Sequence, residues 1–205
     1  MNADIDLTNV ILHTPRLTLR AFTWDDLDDF YAYARVDGVG QMAGWWPHQS
    51  IEESRDVLGR FIEGKKTFAL VRSGRTVGSL GVERYHEDEL PELAQQRARM
   101  LGFVLSKDYW GQGLMPEAVN AALEYLFDQV KLDAVLCAHY LSNARSARVQ
   151  QKCGFVPYRA GRRATRFGTV EDDMTNILTR ERWLALTGRP TQQSITTQKE
   201  LRYDT

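Results

Sequence analysis

Two glycines close the run Asp108-Tyr109-Trp110-Gly111-Gln112-Gly113, and this run is the best phosphate-binding candidate in the sequence. A nearly continuous apolar run, Arg99 to Leu105, precedes it, and a helix signal follows, with Pro116 read at the first helical position. A turn of that kind aims successive backbone N–H groups into one concavity. The start of the following helix adds unpaired donors and partial positive charge. Glycine permits the unusual dihedrals and the close approach that a diphosphate needs. Taken alone, G-x-G also describes a tight strand-to-helix turn that binds nothing. A dinucleotide loop requires G-x-G-x-x-G, and Pro116 stands where the third glycine would be. The string G-x-x-x-x-G-K-[ST] is absent.

The elements that must carry this loop follow from periodicity. Arg16 to Ala21 alternates as a half-buried strand does, and Thr23 with Asp25 and Asp26 opens a helix whose apolar stripe is Leu27, Phe30, Tyr31 and Ala34. Val36 to Gln49 reads as a glycine-rich loop. Ser50-Ile51-Glu52-Glu53 is a capping box for a second helix, which Gly64 is expected to stop. Thr67–Val71 and Thr76–Tyr85 form a hairpin around Ser73-Gly74. An acidic loop over 86–96 leads to the apolar strand. Beyond the glycine loop come a helix through Phe127, a second central strand over Ala134–His139, a helix over Asn143–Lys152 and two further strands, one from Phe155 and one around Met174–Thr179. A short helix over Arg180–Leu186 closes the series. This order predicts an α/β (α+β mixed sheet) architecture with one sheet, as a single domain over 1–186 and a polar tail, disordered or extended, over 187–205.

The chain has 205 residues, 43% hydrophobic and 26% charged, with a net charge of −1. That is enough chain for one well-buried core. No basic field argues for nucleic acid, and no apolar run approaches the roughly 20 residues that cross a bilayer. Met1 to Val10 lacks the charge and apolar core of a secretory signal. Cys137 and Cys153 have no metal-ligand spacing and form no disulfide framework. A soluble cytoplasmic protein with reduced thiols and no metal is expected. The oligomeric state stays open, a homodimer included.

A second constellation limits the ligand. Asn143-Ala144-Arg145-Ser146 opens the helix that Lys152-Cys153-Gly154-Phe155 closes. Together with Leu101–Leu105, Tyr109–Leu114 and Glu117-Ala118, these residues make the chain resemble the GNAT superfamily of N-acetyltransferases, closest to its RimJ/RimL-like branch. The opening Arg16–Arg20 with Asp25-Asp26 is also similar, and the resemblance spans roughly residues 14 to 185.

The resemblance implies a GNAT-like fold: a central mixed, mostly antiparallel sheet, flanked by helices, whose central strands Leu101–Leu105 and Ala134–His139 splay apart. Acetyl-CoA would lie in the gap, its pantetheine arm along Phe103, Val104 and Leu105, its pyrophosphate on Gly111, Gln112, Gly113, Leu114, Met115 and Pro116. A backbone N–H of that strand would polarise the thioester carbonyl. Asn143 would cap its helix and contact the coenzyme. Many members carry a tyrosine as the acid for the leaving thiolate; that position is Gln150, which cannot serve. Ser146 takes its place in the expected site. Asp108 stands where the family has glutamine or arginine, and is expected to turn away or cap the turn.

The acceptor is a primary amine, on a small molecule or a protein N-terminus. It must be neutral to attack, and Glu83 is the first candidate for its base, with His86, His139 and a water relay behind it. Trp45, Trp46 and His48, together with His86, are the candidate acceptor wall; each also fits ordinary core packing or solvation. A non-catalytic acyl-CoA-binding or sensor module is the alternative function, and a plain nucleotide-binding domain a more distant one.

Overall fold

The computed structural model describes residues 1–189. Eight strands form one sheet: β1 (Leu12–His13), β2 (Thr18–Ala21), β3 (Thr67–Arg72), β4 (Arg75–Glu83), β5 (Ala98–Leu105), β6 (Ala134–Tyr140), β7 (Val156–Ala164) and β8 (Val170–Thr179). Their spatial order is β1-β2-β3-β4-β5-β6-β8-β7. Every neighbouring pair is antiparallel except β5–β6. Five helices flank the sheet: α1 (Leu27–Ala34), α2 (Ile51–Gly64), α3 (Leu114–Asp128), α4 (Ala144–Lys152) and α5 (Arg180–Thr187). The expected mixed sheet between helices is therefore present.

One face of the sheet packs on α3, α4 and α5. Leu80, Val82, Leu101 and Cys137 meet Val119, Ala122, Leu126 and Trp183 there in the largest apolar cluster. The other face holds two smaller clusters. One lies under α1 and α2, around Phe22, Phe30, Leu58 and Ala69; the other surrounds Tyr85, Leu93, Leu136 and Ile177 under the 86–96 segment. Gly102 of β5 is exposed, and nothing stands within 4 Å of where its Cβ would be. It pairs with Gly81 of β4, so two side chains are missing side by side on that face and a trough remains.

Most local signals hold, and three shift. Ser50 caps α2, its Oγ accepting from Glu53 N at 3.2 Å. Lys65, at φ 53°, takes the left-handed position expected of Gly64, which stays in the helix as its last residue. Pro116 is the third residue of α3, not the first; its missing N–H is harmless there too, because the first turn has no intrahelical acceptors. The short strand β1, which pairs with β2, has too few residues to show a period. The expected tail begins at Thr187, but α5 includes Thr187, and Arg189 donates to Glu124 at 2.5 Å. The rest of that tail lies outside the described residues.

Candidate functional site

β5 and β6 are paired from Ala98↔Ala134 to Leu101↔Cys137 and no further. β5 continues to Leu105 and β6 to Tyr140, so the two strands run on side by side without a ladder. Parallel neighbours must exchange backbone hydrogen bonds or leave them to another partner. The opening is a cleft of about 390 Å³, within the usual range for ligand sites. Its walls are Phe103, Val104 and Leu105 from β5, Gly111 and Gly113 from the loop, Leu114, Met115 and Pro116 from α3, and Asn143 and Ser146 at the start of α4. These are the sequence-derived coenzyme residues with one exception.

The exception is Gln112. Its side chain turns away and braces the loop: Nε2 donates to Asp108 O at 3.0 Å, and Oε1 accepts from Arg72 at 2.7 Å. Arg16 Nη1 donates to Gln112 O at 2.8 Å. Asp108 is exposed and outside the cleft. Gly111 and Gly113 have φ of 75° and 76°, where other residues are strained, and Gly111 has open space at its Cβ position.

Several features favour an anion here. Gly113 caps α3 without a side-chain hydrogen bond, so the first amides of that 15-residue helix are free to donate. Glu117 in the first turn would repel phosphate, but it is tied up by Arg16 at 2.6 Å and by Thr14 Oγ1 at 2.6 Å. Burial alone would raise the Glu117 pKa; the hydrogen bonds from Thr14 and Arg16 outweigh it and hold the carboxyl below its usual value. Arg148 and Lys152 of α4 also line the cleft. The Arg145 guanidinium lies 4.0 Å from the Trp110 ring centroid, within stacking range, while Trp110 Nε1 donates to Leu105 O at 2.8 Å. The donor set thus fits a phosphate-bearing coenzyme with an extended amide arm.

Asn143 caps α4, its Oδ1 accepting from Ser146 N at 3.1 Å. Ser146 faces the cleft, and Gln150, fully buried, donates to Ser146 Oγ at 3.0 Å.

The residues expected to form the acceptor wall lie outside this cleft. Val39, Met42 and Ala43 of the α1–α2 loop reach the cleft, whereas Trp45, Trp46 and His48 do not. His48 is buried; its Nδ1 lies 2.7 Å from Ser54 Oγ and its ring packs edge-on against Phe30. Burial lowers its pKa. Trp45 covers His48 and lies where a Cβ on Gly40 would stand. His48 is therefore core, and the half-buried Trp45 packs against the cluster under α1 and α2. Trp46 is exposed and meets Phe167 on the β7–β8 hairpin, ring centroids 4.4 Å apart. Which loop residues turn inward depends on that packing, so glycine content alone gave no signal for Val39 and Met42.

Glu83 lies on the opposite face from α4. It pairs with Met100, takes an ion pair from Lys66 at 2.6 Å, and its Oε1 lies 2.8 Å from where a Cβ on Gly81 would stand. Its carboxylate therefore leans along the Gly81–Gly102 trough. His86 is exposed three residues past the end of β4, at the end of the sheet away from the cleft, and is no part of it. His139 is likewise outside the lining.

A sheet opened at its one parallel pair, with a glycine turn and an uncapped helix N-terminus at the end of the opened strand, has the form of an acyl-coenzyme-binding transferase fold. Solved structures similar to this one include a GNAT-family acetyltransferase from Bacillus anthracis (TM-score 0.72, 20% identity, 84% of this chain and 99% of the other). A spermidine N-acetyltransferase from Vibrio cholerae, solved with CoA and spermine, aligns with a TM-score of 0.68 at 17% identity over 83% of this chain and 99% of that one. A ribosomal-protein-S5-alanine acetyltransferase from Vibrio fischeri aligns at 0.63 and 19% identity, over 85% and 99%. In sequence, the uncharacterised N-acetyltransferase YoaA of Bacillus subtilis is 27% identical over 152 residues, 71% of this chain and 82% of its own. The acetyltransferase (GNAT) domain model matches residues 16–156. The chain belongs to the GNAT acetyltransferase family and is an acetyl-CoA-dependent acyltransferase. None of its described helices is long and apolar enough to cross a membrane.

Proposed function

We propose that the protein transfers an acetyl group from acetyl-CoA to a primary amine by direct attack in a ternary complex. The observation that carries this reading is the opening of the sheet beyond Leu101↔Cys137, with exposed Gly102 at its apex. The coenzyme side is lined by Phe103–Leu105 and the Gly111–Pro116 turn. The far side is the trough over Gly81 and Gly102, which an amine can enter between the two smaller apolar clusters.

Acetyl-CoA supplies the activated acetyl group. Around it, the β5 backbone beyond Gly102 has no β6 partner and is free to pair with an amide arm. Ser146 holds a proton at Oγ facing the cleft and is the proton donor for the departing thiolate. Glu83, directed along the trough and paired with Lys66, accepts the proton of the incoming ammonium, directly or through water. The amine belongs to a small molecule or a protein N-terminus; spermidine and a ribosomal-protein alanine stand in the names of two structural relatives.

The test has two stages. Calorimetric titration with acetyl-CoA, CoA and NAD should give binding of both coenzyme A forms and none of NAD. Free-thiol release with panels of polyamines, amino acids and N-terminal peptides then identifies the acceptor. No binding of either coenzyme A form overturns the proposal. Gln150 in the family's tyrosine position keeps one second reading, a non-catalytic acyl-CoA sensor, and binding without transfer to any amine favours it.

A further inference from the structure

The residue that replaces the family's tyrosine is not idle. Gln150 is fully buried and Asn176 of β8 is 6% exposed. Asn176 Nδ2 donates to Gln150 Oε1 at 2.7 Å, and Gln150 Nε2 reaches Ser146 Oγ at 3.0 Å and Ala138 O at 3.4 Å. The direction of this chain is set by its ends. Ala138 O is a carbonyl and can only accept, so the amide nitrogen of Gln150 must be on that side. Its oxygen then faces Asn176, which must present its own nitrogen. Asn176 Oδ1 is correspondingly left without a partner.

The consequence falls on Ser146. Its Oγ receives a hydrogen bond from Gln150, so its single proton is not needed in that contact. Serines in helices commonly donate to the carbonyl four residues back. Among the described residues Ser146 Oγ makes no such bond and acts only as an acceptor. The proton is left to point into the cleft.

Resting on the assignment of Ser146 as proton donor, we infer that Gln150, oriented by Asn176, is a positioning residue that fixes the polarity of Ser146, holding its hydroxyl proton towards the coenzyme sulfur. The proton passes from Oγ to the thiolate, and solvent in the open cleft restores it. No further reactant is required. Gln150 itself touches no reacting atom.

Gln150→Glu tests this directly. The change is nearly isosteric and keeps an acceptor for Asn176 Nδ2, but it offers Ser146 a second acceptor that draws the hydroxyl proton away from the cleft. The expected result is a kcat lower by about tenfold or more, a part of what general acid catalysis supplies, with KM for acetyl-CoA within about twofold. On a Ser146→Ala background the same change should have no further effect, because no proton remains to orient. Gln150→Met, neutral and similar in volume, is the second variant should the buried carboxylate prevent folding; it should also lower kcat without raising the acetyl-CoA KM. Retention of kcat within about twofold in the variant that folds, while Ser146→Ala is impaired, overturns the inference and leaves the serine assignment standing. An equal loss on the Ser146→Ala background also overturns it. Unchanged turnover in Ser146→Ala alone removes the serine assignment and this inference with it.

Discussion

Leu101 is the last residue of β5 to face a partner on β6, and that partner is Cys137. Up to this pair the two strands form an ordinary parallel ladder with Ala98, Ala134 and Val135 buried on its faces. One residue later Gly102 is exposed in the middle of an eight-stranded sheet. Cys137 is fully enclosed here and burial drives its thiol pKa upward; burial likewise pushes Cys153 up to about 12. Both thiols are buried packing residues, Cys137 at the base of the opening and Cys153 at the end of α4 against Pro116 O.

The glycine turn gives the first prediction. Gly113 has a φ of 76°, so any substitution is strained. Gly113→Ala carries that strain alone, while Gly113→Glu adds bulk and a negative charge at the start of α3. Calorimetry should find CoA affinity abolished in the glutamate variant and only reduced in the alanine variant. Equal affinity in the two would remove the phosphate from this turn.

Glu83 is tested by its pH profile. If it takes the ammonium proton, Glu83→Gln should lower kcat/KM about 10- to 100-fold near pH 7. The deficit should close as pH rises towards the acceptor's own pKa, about 8 for an α-amine and about 10.4 for a lysine-type amine. A parallel profile at all pH values would assign the base elsewhere.

Asp26 anchors the first helix to the sheet. It is 4% exposed and accepts from Arg20 at 2.7 Å, Thr23 N at 2.8 Å and Thr76 Oγ1 at 2.5 Å. Burial raises its pKa, but these hydrogen bonds prevail and the net shift is downward from 3.8. Asp26→Ala removes the ion pair of Arg20, which keeps only its bond to Ala21 O, and leaves the buried Thr76 hydroxyl without a partner; it should cost about 3 kcal/mol in chemical denaturation. A folded-state pKa below the unfolded one means that the charged form is favoured by folding. The deficit should therefore be full above about pH 4 and shrink as pH falls through the lowered value.

His48 supplies the opposite titration. Burial lowers its folded-state pKa below 6.5, so the unfolded chain binds a proton first on acidification. Its neutral form contributes full stability above about 6.5, and that contribution falls as pH drops towards the folded value. His48→Gln keeps a partner for Ser54 Oγ but does not titrate. Thermal melts from pH 7.5 to 5.5 should show a steeper loss in the wild type than in this variant; parallel slopes would place the proton uptake on another group.

The Trp46–Phe167 contact, which lies outside the coenzyme cleft, is separable from it by kinetics. Trp46 touches Phe167 of the β7–β8 hairpin and is 59% exposed, so Trp46→Ala should leave the melting temperature within a few degrees. KM for the acceptor should change and KM for acetyl-CoA should not. A change in the acetyl-CoA KM alone would detach this contact from the acceptor path.

What the sequence determined by itself is local. Helix α2 begins at Ser50 and α4 at Asn143 because each supplies a side-chain oxygen to its own first turn. The hairpin at Ser73-Gly74 and the turn at Gly111–Gly113 need backbone conformations that those residues permit. Such interactions act within a few positions, so residue type and spacing display them. The resemblance of two short motifs added the family and the expectation of splayed strands. What only the tertiary structure decided depends on segments far apart in the chain. Pairing ends at Leu101↔Cys137, across 36 positions, and the trough needs Gly81 opposite Gly102. His48 is core because Phe30 and Ser54 enclose it, and Gln112 is a brace because Arg16 and Arg72 reach it from the sheet edge. Ser146 Oγ is joined through Gln150 to Asn176, 30 positions away. None of these carries a local pattern, because burial and hydrogen-bond polarity belong to the packed neighbours and not to the residue that receives them.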